Sequence, residues 1–237
     1  MIMKCIRVLI LTLVFTFMGL SSIKAQNEQY GLWLSFKVDK NYGKLSLGAE
    51  SELRTVYILR LIDRGSISLE AKYDIMKRLK VGLSYTLMNA LDVKYRNYQL
   101  RNRFAAALEY KIKFGNFRLA IDQKLRTTLK DEQKRIREDG SLDTYSNNPE
   151  WTWVNGVEIN YNILKSKLNP FLSAQSYYTL NANETDRLKN TRLKGGLMYK
   201  INKRQSFKVY FLYNTNQESD DNFGKFIGGI SFDVAIK

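Results

Sequence analysis

The sequence predicts an all-β fold, an antiparallel transmembrane up-and-down β-barrel of 10–12 strands. Apolar and polar residues alternate along most of the chain, which places each set on one face of a pleated sheet. No amphipathic helix accompanies these segments to cover the apolar face. The connections alternate between short turns and longer polar loops, as in transmembrane barrels. We therefore expect a closed barrel whose apolar face meets lipid.

Residues 65–88 show the pattern most clearly, as two strands joined by a tight turn at 76–78. The apolar row before the turn is Ile67, Leu69, Ala71, Tyr73 and Ile75. The row after it is Leu79, Val81, Leu83, Tyr85 and Leu87. Serine, glutamate, lysine and aspartate occupy most of the intervening positions, so one face is apolar and the other is polar and charged.

Similar segments precede and follow this hairpin, and eleven strands are clear. They lie near residues 30–38, 45–53, 98–112, 117–129, 151–163, 171–180, 193–201, 207–213 and 226–236, besides the two above. In the row that begins at Tyr98, Asn102 interrupts the apolar pattern. The stretch 130–150 is the longest polar segment, which predicts a long surface loop.

Single-chain bacterial barrels have even strand numbers. Either the segment 30–38 stands apart and ten strands close the barrel, or residues 56–62 supply a twelfth. Twelve is the preferred number. An even number would place both ends of the barrel domain at the periplasmic rim.

The first 25 residues have the features of a cleaved secretory signal peptide. Lys4 and Arg7 precede the apolar run 8–20, and Ala25 suits a cleavage point. The predicted domain organisation is therefore a signal peptide at 1–25 and a single outer-membrane barrel domain at 26–237. Cys5 is the only cysteine and would leave with the signal, so the mature chain would form no disulfide.

The formal net charge of the whole chain is +15. No basic helix or recognition motif accompanies it, so we do not expect nucleic acid as a partner. For an exported chain the expected partners are outer-membrane lipid and lipopolysaccharide, the barrel-assembly machinery during insertion, and proteins that contact the outer loops.

Several stretches resemble a known family. They are GLWLSFKVDKNYGKLSLGAESELR at 31–54, YQLRNRFAAALEYKIKFGNFRLAI at 98–121 and YNILKSKLNPFLSA at 161–174. They resemble the small outer-membrane barrels of Bacteroidota that carry domain of unknown function 2490. The resemblance implies a β-barrel in the outer membrane of a Gram-negative bacterium. The family has no established activity, so the resemblance gives no catalytic residues to transfer.

The composition argues against enzymatic chemistry. The chain has no histidine, the side chain best suited to proton transfer near neutral pH, and the mature chain would have no cysteine. We therefore predict no catalytic residues, no cofactor and no metal site. A lipid-modifying enzyme would have to use carboxylates alone, and Glu50 and Glu52 on one strand face are one pair that could act as acid and base.

The polar face predicts a network of charges inside the barrel. Because a barrel of 10–12 strands has a narrow interior, these charges should form ion pairs and hydrogen bonds. The candidate network is Glu50, Glu52, Glu70, Lys72, Arg101, Arg103, Glu109, Arg118, Asp122, Lys124, Arg126 and Glu158.

Two functions follow from this network. The favoured one is a non-enzymatic structural or interaction protein with a charge-filled lumen, whose outer loops bind partners. The alternative is a porin-like narrow channel for small anionic solutes, lined by Arg101, Arg103 and Arg126.

Overall fold

The barrel consists of eleven β-strands. The computed structural model describes residues 30–56, 60–183, 187–216 and 226–236, and within them it contains no helix. The strands are β1 (Tyr30–Tyr42), β2 (Leu45–Val56), β3 (Leu61–Met76), β4 (Leu79–Asp92), β5 (Asn97–Phe114), β6 (Phe117–Lys130), β7 (Glu150–Tyr161), β8 (Leu168–Thr179), β9 (Leu188–Lys200), β10 (Gln205–Asn216) and β11 (Phe226–Ile236). The predicted signal peptide at 1–25 lies outside the described residues.

The sheet closes on itself through its first and last strands. Each strand pairs antiparallel with the next, and β1 pairs with β11 in parallel, from Tyr30 opposite Phe226 to Lys40 opposite Ile236. The all-β barrel is therefore confirmed, and the preference for twelve strands is wrong. The segment 30–38 is part of the barrel, and Val56 and Ile62 belong to β2 and β3. An odd strand number is possible because the closing pair is parallel.

The odd number also separates the two ends of the barrel. Tyr30 lies at the rim that carries the long connections, and Ile236 lies at the rim of short turns. The expectation that both ends share one rim is wrong for this reason. Below, the short-turn half is the part of the lumen near the turns at 43–44, 77–78, 115–116, 162–167 and 201–204, and the long-loop half is the opposite part.

The outer face of the wall is apolar. Leu83, Ile67 and Leu172 are 68%, 62% and 62% exposed, as expected for side chains that a barrel turns towards lipid. Asn102 breaks the apolar row because it lies on this outer face, where its side-chain oxygen accepts a hydrogen bond from the Tyr85 hydroxyl at 2.7 Å. The polar group is thus paired within the wall, as an apolar environment requires.

A small apolar cluster lies inside the barrel on the β9–β10–β11–β1 side. It consists of the buried Trp33, Leu212 and Ile227 with Tyr210 packed against them. The Tyr210 ring occupies the space that a side chain at Gly229 would fill, since a Cβ there would lie 2.0 Å from the ring. The glycine therefore allows the ring to lie flat against the inner wall.

Candidate functional site

The lumen contains two levels of charge. In the short-turn half, basic and acidic side chains alternate around the wall. Lys72 contacts Glu70 at 3.1 Å and Glu109 at 3.7 Å, and Lys37 contacts Glu70 at 3.5 Å. Further contacts join Lys37 to Asp39, Lys80 to Asp74, Lys111 to Glu109 and Lys208 to Asp233. This level neutralises most of its own charge.

The long-loop half holds a small cavity with a mainly cationic lining, which we call the chamber. Its volume is about 70 Å³. Strands β2, β3 and β5 to β9 supply the lining because their polar positions face inward at this height. The lining residues are Arg54, Arg64, Arg101, Arg103, Arg126, Thr128, Lys130, Glu150, Tyr177, Lys189, Asn190 and Arg192.

Among the described residues, Glu150 is the one acidic residue in the lining of the chamber, and it is buried. Lys130 donates to one of its carboxylate oxygens at 2.7 Å and Lys189 to the other at 3.0 Å. A second carboxylate, Glu52, lies beside the chamber and accepts from Arg54 at 2.7 Å. Eight cationic side chains of the described residues therefore line the chamber, and two carboxylates, Glu150 and Glu52, lie among or beside them. The described lining carries a net positive charge.

Arg103 and Arg126 make no ion pair with any described residue. Arg103 donates from Nε to the Thr128 hydroxyl at 3.0 Å. The Arg126 guanidinium lies over the Tyr177 ring at 4.9 Å, and its buried Nε has no acceptor among the described residues. Partly buried guanidinium groups without carboxylates attract anions because water screens their charge less than it does at the surface.

Aromatic and amide groups position the remaining arginines. Arg192 donates to the Tyr177 hydroxyl at 2.8 Å and to the Asn214 side-chain oxygen at 3.1 Å. Arg54 stacks on the Trp33 ring at 3.8 Å. The contacts of Arg192 hold its guanidinium in place with neutral groups, whereas Arg54 is held by the Trp33 ring and by its ion pair with Glu52.

The connection 131–149 folds over the chamber, and we call it the lid. Within it, Ile136 and Leu142 form an isolated bridge. Arg135 is buried and its guanidinium joins Asp92 at 2.8 Å to Asp143 at 3.0 Å. Tyr145 donates its hydroxyl to Asp92 at 2.9 Å, and its ring lies 4.6 Å from the Lys130 ammonium. Tyr145 thus links the ion pairs of the lid to Lys130, which lines the chamber.

Asp143 is the centre of the lid. Hydrogen bonds from Lys94, Tyr95, Arg137 and Arg135 hold the pKa of its carboxyl well below the usual range. The same contact raises the pKa of the Lys94 ammonium. Both groups therefore stay charged across the neutral range, and the lid has no titration there that would release these pairs.

The twelve residues of the predicted charge network occupy three places. The short-turn half contains Glu50, Glu70, Lys72, Glu109, Asp122, Lys124 and Glu158, and Arg118 is exposed at the short-turn rim. The long-loop half contains Glu52, Arg101, Arg103 and Arg126. Of the predicted carboxylate pair, Glu52 accepts from Arg54, while Glu50 lies opposite Ser68 and Lys37 in the ladders.

Several chamber residues are missing from the sequence prediction. Arg54 and Arg192 continue the alternation of neighbouring polar-face residues, so their spacing held the necessary signal. Lys130, Glu150 and Lys189 lie at strand ends that the sequence assigns to loops, and Arg64 lies at the irregular start of β3. Exact strand ends depend on pairing across the sheet, which one strand's pattern does not reveal.

Chemically, this arrangement of cations is suited to binding anions. Guanidinium groups donate several hydrogen bonds in fixed directions and match the oxygens of carboxylate, sulfate or phosphate. In the described ranges no three histidine, cysteine, aspartate or glutamate side chains come together to hold a metal ion. No helix in those ranges is long and apolar enough to cross a membrane.

Comparison with solved structures relates the barrel to outer-membrane proteins. The NanC porin aligns over 84% of this chain and 94% of its own, with a TM-score of 0.52 and 12% identity. The KdgM porin aligns over 75% and 81%, with a TM-score of 0.44 and 12% identity. The chain spans about three fifths (61%) of a bacterial polysaccharide outer membrane secretin, which covers 77% of this chain at a TM-score of 0.49 and 11% identity. At these identities the similarity concerns the fold.

No functionally curated protein matches the sequence. One family does, over residues 30–224, which is most of the chain. The chain belongs to the family described as Protein of unknown function (DUF2490).

Proposed function

We propose that the protein is an outer-membrane barrel that forms a narrow channel for small anions. The chamber is its selectivity constriction. The porin-like fold supports this proposal at the level of architecture. The observation that carries it is the position of Arg103 and Arg126, whose guanidinium groups face the lumen and make no ion pair with the described residues.

A purely structural barrel does not require this arrangement. Buried cations lose hydration, and a matched carboxylate normally offsets that loss. The short-turn half of the same lumen contains such matches, so the fold can accommodate them. Passing anions would offset the charge of the chamber in place of carboxylates. The small volume of the chamber limits passage to small ions, one or few at a time.

A second candidate is the closed barrel, in which the lid blocks passage and the outer loops bind partner proteins. The ion pairs of Arg135 with Asp92 and Asp143 favour it, since they fasten the lid above the chamber. In this alternative the chamber would hold a resident anion and conduct nothing.

The channel proposal fixes an orientation and an export route. The short turns face the periplasm and the long connections face the outside, as in other transmembrane barrels. Residues 1–25 direct export and are removed, and the assembly machinery inserts the barrel into the outer membrane of a Gram-negative cell. The proposal assigns no catalytic role to any residue.

Single-channel recording of the refolded barrel in a planar bilayer tests the proposal. Discrete current steps, with chloride carried in preference to potassium, are the expected result. Heat-modifiable migration in gel electrophoresis establishes separately that the barrel is folded. A folded barrel that passes no current would overturn the channel and favour the closed barrel.

A further inference from the structure

The two rims of the barrel differ in charge. The five short connections contain seven basic residues and no acidic residue. The lid alone, at the other rim, contains both signs, and its acidic residues are Asp131, Glu132, Glu138, Asp139 and Asp143. The formal charge of the chain is therefore distributed unevenly along the barrel axis.

Six of the seven basic residues have no side-chain partner among the described residues. Lys167 is the exception, because its ammonium donates to the Ile201 carbonyl oxygen at 3.2 Å. The six are exposed, and we call them the cationic rim: Lys44, Lys77, Arg78, Lys165, Lys203 and Arg204. The acidic residues nearest these turns in the sequence are Asp39, Asp74 and Glu158. Asp39 and Asp74 pair with the inward-facing Lys37 and Lys80, and Glu158 accepts from the Asn160 amide at 2.8 Å.

Aromatic side chains form a belt on the outer wall next to the cationic rim. Tyr42 directly precedes the first short turn, Phe114 and Phe117 flank the third with ring centroids 5.5 Å apart, and Tyr161 directly precedes the fourth and lies 4.8 Å from Phe117. Tyr42 and Phe114 are 53% and 51% exposed. Such belts mark the interface between hydrocarbon and headgroups. The cationic rim lies immediately beyond this belt, at headgroup height.

We propose that the cationic rim binds anionic phospholipid headgroups of the leaflet that the short turns reach. Lysine and arginine at a membrane surface attract anionic lipid over the short distance that salt permits. The rim residues lie on four of the five short turns, so the rim would recruit several anionic lipids instead of one molecule. This site is distinct from the chamber, and its failure would leave the channel proposal intact.

Lipid titration of the purified barrel in detergent, followed by native mass spectrometry, tests the inference. The probes are phosphatidylglycerol and the zwitterionic phosphatidylcholine with the same acyl chains. We expect the wild-type barrel to retain phosphatidylglycerol at least about tenfold more tightly at low salt, and to lose this preference at high salt. Equal retention of the two lipids at low salt would overturn the inference.

Two matched triple variants locate the effect. K77Q/R78Q/R204Q neutralises half of the cationic rim and should lower phosphatidylglycerol affinity by at least about tenfold. R60Q/R96Q/K134Q makes the same charge change at exposed positions of the other rim and should leave the affinity unchanged. If the two folded variants lose the same phosphatidylglycerol affinity, net charge alone governs binding. That result would contradict a site at the short turns.

Discussion

The two halves of the lumen handle buried charge differently. In the short-turn half, lysines share carboxylates, and Glu70 and Glu109 each contact two of them. In the long-loop half, arginines outnumber carboxylates, and stacking on Trp33 and Tyr177 holds several of them in place. The same wall of strands supports both arrangements.

Under the channel proposal, this difference separates a structural use of charge from a functional one. A shared lysine–carboxylate network is internally neutral and keeps its geometry when one contact is lost. In the chamber, the cations outnumber the carboxylates of the described residues, and an anion from solution would offset the excess positive charge. Departures from internal pairing in an otherwise consistent fold are expected at functional sites.

The largest stability effect should come from the carboxylate in the chamber. Glu150→Gln removes the buried carboxylate charge that Lys130 and Lys189 share, and we expect a loss of about 3–5 kcal/mol in the free energy of unfolding. Excess sulfate should recover part of the loss by binding to the folded chamber. Urea unfolding with and without sulfate measures both effects.

The matched control is Glu70→Gln in the short-turn half. Glu70 also contacts two lysines, but Lys37 retains Asp39 and Lys72 retains Glu109. We expect a loss of about 1 kcal/mol or less, with no recovery in sulfate. Equal losses and equal sulfate responses in the two variants would remove the distinction between the halves.

A smaller effect is expected in the apolar cluster beside the chamber. Gly229→Ala places a methyl group where the Tyr210 ring lies, so the ring must move, and overpacking should cost about 1–3 kcal/mol in unfolding free energy. Gly228→Ala is the control on the outward-facing side, where the nearest atom to the new methyl group is Leu32 Cδ1 at 3.7 Å. If the two alanine variants unfold at the same urea concentration, the cluster does not support the wall as described.

The smallest effect should be confined to the lid. Asp143→Asn removes the charge that four neighbouring side chains contact, so tryptic cleavage after Lys134 and Arg137 should become faster while global unfolding stays unchanged. Asp139→Asn is the control in the same loop, because Asp139 is exposed and accepts only from Ser141. Equal cleavage rates in the two variants would contradict the central position of Asp143.

The lid should also withstand mild acid. Because the pKa of Asp143 lies below its ordinary value, its contacts contribute stability at every pH above that ordinary value and weaken only as pH falls through the lowered pKa. The pKa of Lys94 is raised, so this ammonium stays charged until strongly alkaline pH. The tryptic cleavage rate of the lid in the intact barrel, corrected for trypsin activity, should be constant between about pH 6 and 9. Faster cleavage near pH 6 would contradict this.

Much of the architecture was predictable from alternation alone. The strand segments, the apolar outer face and the long polar loop follow from a two-residue period and from clusters of turn residues. The strand number was not predictable, because the parallel pairing of β1 with β11 is a contact between distant segments. An even count is a property of related proteins and is not required by the pattern of this chain.

The site was predictable in part. Arg101, Arg103 and Arg126 follow from their place on the polar face, and the structure brings them to one chamber. Their grouping apart from Glu70, Glu109 and Asp122 depends on the stagger between neighbouring strands, which fixes the height of each side chain in the lumen. The inward fold of the lid depends on contacts such as Arg135 with Asp92, across a long stretch of sequence.

The most direct test of the account is the reversal potential of a charge-reversed chamber in a potassium chloride gradient. We predict that the wild type prefers chloride and that R103E/R126E prefers potassium. The double variant K208Q/D233N, which removes an ion pair from the short-turn half without changing net charge, should keep the preference for chloride. An unchanged chloride preference in R103E/R126E would contradict the claim that unmatched arginines of the chamber select the ion.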